Sequence, residues 1–148
     1  MRVPKKVDYG VRVLADLAVA YRRGRGPVQT AEIALRQNIP EAYLEHLMTT
    51  LNKLGFVRSR RGPQGGHMLA RPPEEITLEM VVRSLEGTTA PMECLEDPSE
   101  CIFATDCAQR SVWQEVESAI RGVLSRTTIA DLVRPRREPV RSATPTRR

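Results

Sequence analysis

A mainly α-helical fold carrying one small β hairpin is what this sequence predicts, and three observations predict it. Hydrophobic residues make up 41% of the 148 but aromatics only 4%, so the core is built chiefly from Leu, Val, Ile and Ala, which favours helices. Apolar residues recur at helical spacing in several segments. One Gly-rich basic stretch lies between two short runs that read as paired strands. A chain of 148 residues has room for one compact domain plus an appendage, which excludes a large multidomain enzyme.

The elements follow in order. Val7, Val11, Leu14 and Ala18 fall on one stripe of a helix from Lys5 to Arg22, ended by Gly24, Gly26 and Pro27. Ala31 to Arg36 reads as a short helix capped by Thr30, and Asn38 marks the next turn. Pro40 suits the first turn of a longer helix that exits at Gly55. Its inward face is Tyr43, Leu44, Leu47, Leu51 and Leu54; Ala42, Glu45, His46, Thr49 and Lys53 face outward. Phe56 to Arg60 and His67 to Arg71 form a hairpin around a flexible, basic, Gly-rich tip. Pro72 and Pro73 break the chain before Thr77, which caps a helix carrying Leu78, Val81, Val82 and Leu85 and stopped by Gly87. Pro91 to Cys107 lacks helical periodicity and holds all three cysteines and five acids but no Lys or Arg. Val112, Val116, Ala119, Ile120, Val123 and Leu124 then mark a last long helix whose apolar stripe needs a partner. From Arg134 the Pro, Arg, Ser and Thr content offers too little apolar surface to offset ordering entropy, so a disordered basic tail is expected.

Charge divides the same way. Met1 to Arg71 carries 13 Lys/Arg against 5 Asp/Glu, a net of +8, whereas Pro72 to Val133 carries 4 against 12, a net of −8. The overall excess of +5 therefore resides in the tail, and the basic first half calls for a polyanionic partner. No run approaches the roughly 20 apolar residues of a membrane helix, so a cytoplasmic protein without a membrane partner is expected.

Helix, turn, helix and basic hairpin is the order of a winged helix-turn-helix, whose second helix lies in the major groove of double-stranded DNA. On that helix Glu45 can accept from cytosine N4, and His46 and Thr49 can reach base edges or phosphate. Arg58, Arg60, Arg61 and Arg71 on the hairpin, with Lys5, Lys6 and Lys53, are candidates to neutralise phosphates. For any one polar residue of the helix, a solvated face is the competing reading; Arg60 and Arg61 at the tip stand out more clearly.

Cys94, Cys101 and Cys107 are spaced C-x6-C-x5-C, wider than the C-x2-C pairs of structural zinc sites. In a reducing cytosol three cysteines are not expected to be a disulfide framework, and an odd number leaves one unpaired. Thiolates grouped in one loop can hold an iron-sulfur cluster, with a further ligand to be found.

The stretches KKVDYGVRVLADLA and IPEAYLEHLMTTLNKLGFVRSRRGPQGGHMLARPPEEITLEMVVRSLEG, with the Cys triad followed by RSVWQEV, resemble the IscR/NsrR family of bacterial transcription regulators over residues 1 to about 133. The resemblance implies a homodimer on a palindromic operator. Its long C-terminal helices cross, and Cys94, Cys101 and Cys107 hold a 4Fe-4S or 2Fe-2S cluster near the other subunit's first helix. IscR-like members supply a His three residues after the last Cys. Here that residue is Arg110, which has no lone pair for a metal. NsrR-like members use an Asp in the first helix, and Asp8 matches it in KKVDYG; a plain surface carboxylate favoured by the helix dipole is the competing reading of Asp8. The first Cys spacing is one residue longer than the family's usual C-x5-C, which leaves both cluster types open.

The expected organisation is therefore a winged helix-turn-helix DNA-binding region with a two-stranded β wing at 1–73, and a connecting helix at 74–90. A cysteine loop at 91–108, a dimerisation helix at 109–133 and the basic tail at 134–148 complete it. His67 is expected to pack or to contact backbone, and Trp113 to serve a core or dimer interface. Rival functions are a cluster-free thiol switch, a constitutive repressor, and a small enzyme using Cys107. The last is disfavoured because no His lies in the acidic half to act as a base.

Overall fold

The computed structural model describes residues 1–134 and is mainly helical with one two-stranded antiparallel sheet. The basic tail expected from Arg134 onward falls, apart from Arg134 itself, outside the described residues. Helix α1 spans Lys5–Arg22, α2 Thr30–Gln37 and α3 Glu41–Lys53. Strands β1, Val57–Arg60, and β2, Gly66–Leu69, form the wing with Val57 opposite Leu69 and Arg60 opposite Gly66. Then come α4 at Leu78–Glu86, a single turn α5 at Glu93–Glu96, α6 at Arg110–Arg126 and a last turn α7 at Ile129–Leu132. Among the described residues no helix is long and apolar enough to cross a membrane.

The core is aliphatic, as the composition requires. Val13, Leu14 and Leu17 of α1 meet Ile33 of α2, Leu44, Met48 and Leu51 of α3, and Phe56, Ile76, Val81 and Ile129, all essentially fully buried. Each such side chain contributes on the order of 1.5–3 kcal/mol by leaving water. Gly10 lets α1 approach α4 closely, since a Cβ there would stand 2.8 Å from Leu85 Cδ1.

Several local readings change. Thr30 does not cap α2: Gln29 is the N-cap, and the Thr30 hydroxyl is engaged elsewhere. Pro40 is the residue before α3 rather than in its first turn. Met48, not Tyr43, completes the buried stripe of α3, because Leu44, Leu47, Met48 and Leu51 are the i, i+3, i+4, i+7 set. Tyr43 lies at the edge of that stripe, exposed, with its ring edge-on to Tyr9 at 5.4 Å; Leu54 is half-buried. Thr77 and Gly87 bound α4 as read, with Thr77 Oγ1 accepting from the Met80 N–H at 3.2 Å and Gly87 left-handed at φ 84°.

The segment 109–133 is two helices, not one. Thr127 is extended and ends α6, and Thr128 opens α7 in a capping box with Asp131. The Asp131 carboxyl is held below the usual carboxylate range by the Thr128 backbone N–H and then its hydroxyl. The chain turns back here: the Leu78 N–H donates to the Thr127 carbonyl at 2.9 Å, and the Ile129 N–H to the Ile76 carbonyl at 2.8 Å. Ile129 and Ala130 thereby enter the core, while α6 has no buried residue.

Candidate nucleic-acid interface and cysteine loop

Every candidate DNA residue, Glu45, His46, Thr49 and Lys53 on α3 and Arg58, Arg60 and Arg61 on the wing, is exposed. Glu45, Thr49 and Lys53 share a cleft of about 450 Å³ with Ser59 and His67. Arg60 and Arg61 line an adjoining cleft of about 430 Å³ that also includes Thr30, Ser59 and His67. His46 and Arg58 lie outside both clefts. Among the described residues Lys53, Arg58, Arg60 and Arg61 form no salt bridge, which leaves their charges available to phosphate. Lys6 differs: its Nζ donates to the Leu85 carbonyl at 2.8 Å and caps the end of α4.

The wing is built by close backbone approach. A Cβ on Gly65 would lie 2.1 Å from the Arg60 carbonyl oxygen. Gly66, at φ 142°, would place one 2.5 Å from the Val28 carbonyl oxygen. The expectation that these glycines loosen the tip therefore gives way to a packing role. The Val28 and His67 backbones bond reciprocally, at 2.9 and 2.8 Å, so the base of the wing has a third extended segment.

His67 does more than the sequence suggests. Its Nε2 lies 2.8 Å from Thr30 Oγ1 and its Nδ1 2.8 Å from Ser59 Oγ, and Asn52 Nδ2 donates to the same Ser59 oxygen at 3.2 Å. Burial pushes the imidazole below its usual range. The helix-turn-helix is locked separately. Arg36 and Gln37 of α2 donate to the buried Asp16 carboxylate of α1 at 2.7 to 3.0 Å, which raises the Arg36 guanidinium. Glu32 bridges Arg25 and Arg36 and is held below the usual range by them, Arg25 foremost.

At the other end, Cys94, Cys101 and Cys107 are half-buried free thiols. Among the described residues no three His, Cys, Asp or Glu side chains converge closely enough to hold a metal ion within one protomer. Asp8 is exposed in the first turn of α1, with Oδ2 3.5 Å from Arg12 Nη1. The Arg110 backbone N–H donates to the Cys107 carbonyl, and Arg110 Nη1 is buried with no hydrogen-bond partner. Trp113 is half-buried, its indole N–H on Gln109 Oε1 at 2.9 Å. Ile102 and Phe103, beside Cys101, are exposed.

A recognition helix and basic wing on an aliphatic helical core define a DNA-binding winged helix-turn-helix protein. The sequence pattern of the Rrf2 family, described as an iron-dependent transcriptional regulator, matches residues 3–135, and the chain belongs to that family. It is 36% identical over 132 residues to the HTH-type transcriptional regulator CymR of Bacillus subtilis, with 89% of each chain covered. It is 37% identical over 134 residues to protein rrf2 of Nitratidesulfovibrio vulgaris, covering 90% of this chain and 88% of that one. The solved structure of CymR, described as the global cysteine regulator of B. subtilis, superposes with a TM-score of 0.76 at 34% identity, covering 90% of this chain and 96% of that one. That of T. potens IscR gives 0.72 at 36%, covering 90% and 86%. These relatives are transcriptional regulators, and the protein is a DNA-binding transcriptional regulator, not an enzyme.

Proposed function

We propose that the protein is a cytoplasmic homodimer that binds a palindromic operator with an affinity set by an iron-sulfur cluster. Cys94, Cys101 and Cys107 are its thiolate ligands, and the partner subunit's Asp8 is the fourth. The observation that carries this reading is the loop itself: three free, half-buried thiols with no His, Lys or Arg between them, followed by the unpaired buried N–H of Arg110. Soft thiolates suit iron, and an orphaned guanidinium N–H suits an anionic thiolate-held group. Among the described residues no three such donors converge within one protomer, and the exposed Asp8 carboxylate, ion-paired with Arg12 at 3.5 Å, would exchange that partner to serve a second protomer. The stripe Val112, Val116, Ile120 and Val123, with Val112 and Val123 exposed, supports pairing through α6.

Such a cluster would supply redox chemistry and reactivity toward oxygen, nitric oxide or iron shortage. The chain's part is transmission. The loop leads directly into α6, α6 packs on α4, and α4 packs on α1 of the DNA-binding half. Holding the loop in one position therefore biases the angle between two α6 helices and the spacing of two α3 helices. A bias of about 1.4 kcal/mol changes operator affinity tenfold. On DNA, Arg58, Arg60, Arg61 and Lys53 meet phosphates while Glu45, His46 and Thr49 face base edges.

A cluster-free thiol switch is the second reading, favoured by the same free, half-buried thiols and by the likeness to a relative described as a cysteine regulator. Iron and sulfide analysis with a visible spectrum of anaerobically prepared wild type and Asp8→Ala separates the two. The cluster reading expects iron and sulfide in wild type and an altered spectrum in the variant. Iron-free protein whose DNA binding still responds to oxidant would establish the thiol switch. A wild-type spectrum in Asp8→Ala would overturn the ligand assignment alone.

A further inference from the structure

The imidazole of His67 sits where three elements meet. Thr30 belongs to the first turn of α2, Ser59 to β1, and Asn52 to the last turn of α3, and their polar atoms form one connected chain through the ring. One proton order satisfies every member: Asn52 donates to Ser59, Ser59 donates to Nδ1, and Nε2–H donates to Thr30. The ring is also anchored from behind, because the His67 backbone pairs with Val28 on one side and faces Ser59 across the hairpin on the other. No comparable side-chain link joins Arg58, Arg60 or Arg61 to the body of the protein among the described residues. Backbone pairing with Val28 and the buried Val57 and Leu69 hold the base of the wing, and the Asn52–Ser59–His67–Thr30 chain adds the side-chain link that joins it to α3 and α2.

We propose that His67 is a positioning residue for DNA binding: through Thr30 it fastens the wing to α2, and by orienting Ser59, which Asn52 of the recognition helix binds, it braces the wing against α3, and so sets where Arg60 and Arg61 meet the phosphate backbone. The proposal rests on those arginines engaging phosphate and is independent of any cluster. The charged groups lining the two clefts around the ring are Glu45, Lys53, Arg60 and Arg61, so the fastener lies at the centre of the basic surface rather than beneath it.

The test uses full-length protein and a fluorescein-labelled duplex that wild type recovers from a random pool, with affinity measured across a salt series. Thr30→Val with Ser59→Ala removes both hydroxyl partners while keeping the ring and its packing. The expected result is about a tenfold loss of affinity and a shallower salt dependence, each lost phosphate contact lowering the log–log slope by about 0.9. Thermal unfolding should change little. Arg60→Ala with Arg61→Ala should weaken wild type strongly but add little in the background of Thr30→Val with Ser59→Ala, because the misplaced wing has already lost those contacts. His67→Gln, which keeps a donor and an acceptor, should bind better than His67→Ala.

Additive losses in the combined variant would overturn the proposal, as would a wild-type salt slope in Thr30→Val with Ser59→Ala. Arg60→Ala with Arg61→Ala binding like wild type would overturn it by another route, by showing that the wing does not touch phosphate at all.

Discussion

The stretch from Val7 to Leu85 and the stretch from Pro91 to Arg126 differ in how completely one protomer finishes them. From Val7 to Leu85 nearly every apolar stripe has a partner, and buried Asp16 is satisfied by Arg36 and Gln37. From Pro91 to Arg126 no residue is buried: the three thiols are partly open, Ile102 and Phe103 face outward, and α6 leaves Val112 and Val123 of its stripe exposed. The DNA-reading module is thus packed within one protomer, with Ile129 of α7 completing its core. The cysteine region leaves its thiols half-buried, and under the proposed function this is where a signal would enter.

The largest test of that contrast is core truncation. Leu14→Ala should cost about 2–5 kcal/mol in urea unfolding, whereas Val112→Ala on α6 should stay within about 0.5 kcal/mol at concentrations where the protein is monomeric. Equal losses would erase the distinction. A charge on the stripe, Ile120→Asp, should instead abolish dimer formation in sedimentation while leaving the monomer folded by circular dichroism.

Smaller in stability but large in function is Gly65→Ala. The added Cβ collides with the Arg60 carbonyl, so the hairpin must open. DNA affinity should fall by at least about tenfold, roughly 1.4 kcal/mol, with the core unaffected. A variant that binds DNA normally would show that the tip is not held as described.

The smallest effect is on pH. The folded-state value of His67 lies below the usual 6.5 because the ring is partly buried, so the unfolded chain takes up the proton more readily. Its contribution to stability is complete above the unfolded chain's ordinary 6.5 and is lost as pH falls from there through the lower folded-state value. Urea midpoints between about pH 7.5 and 5.5 should therefore decline more in wild type than in His67→Gln. The opposite slope would contradict the burial of the ring.

Much of this architecture was legible because punctuation coincided with periodicity. Gly24 follows the end of α1, and Thr77 and Gly87 bracket α4, each where local sterics and capping leave few alternatives. The break between α6 and α7 was missed because Val112 to Leu124 runs smoothly toward Ile129. The signal was present in Thr128-x-x-Asp131, a capping box inside an apparent helix. The pairing of Thr30 with His67 had no local signal: their hydroxyl and imidazole are 37 residues apart and meet only once Val28 pairs with the wing. Lys6 reads as one more cation beside Lys5, and only the approach of α4 at Gly10 shows that it serves a helix end. The cysteine region is the converse: its residue types and spacing were plain in the sequence, but among the described residues no three candidate ligands converge within one protomer.

One measurement bears on the central claim most directly: operator affinity of anaerobically isolated protein, matched to its iron and sulfide content, before and after removal of the iron with a chelator. A cluster-governed regulator predicts iron and sulfide in the isolated dimer and an affinity that changes at least about tenfold on removal, with Cys101→Ala fixed at the iron-free value. Protein free of both elements that cannot be reconstituted, or an affinity indifferent to their removal, would contradict it.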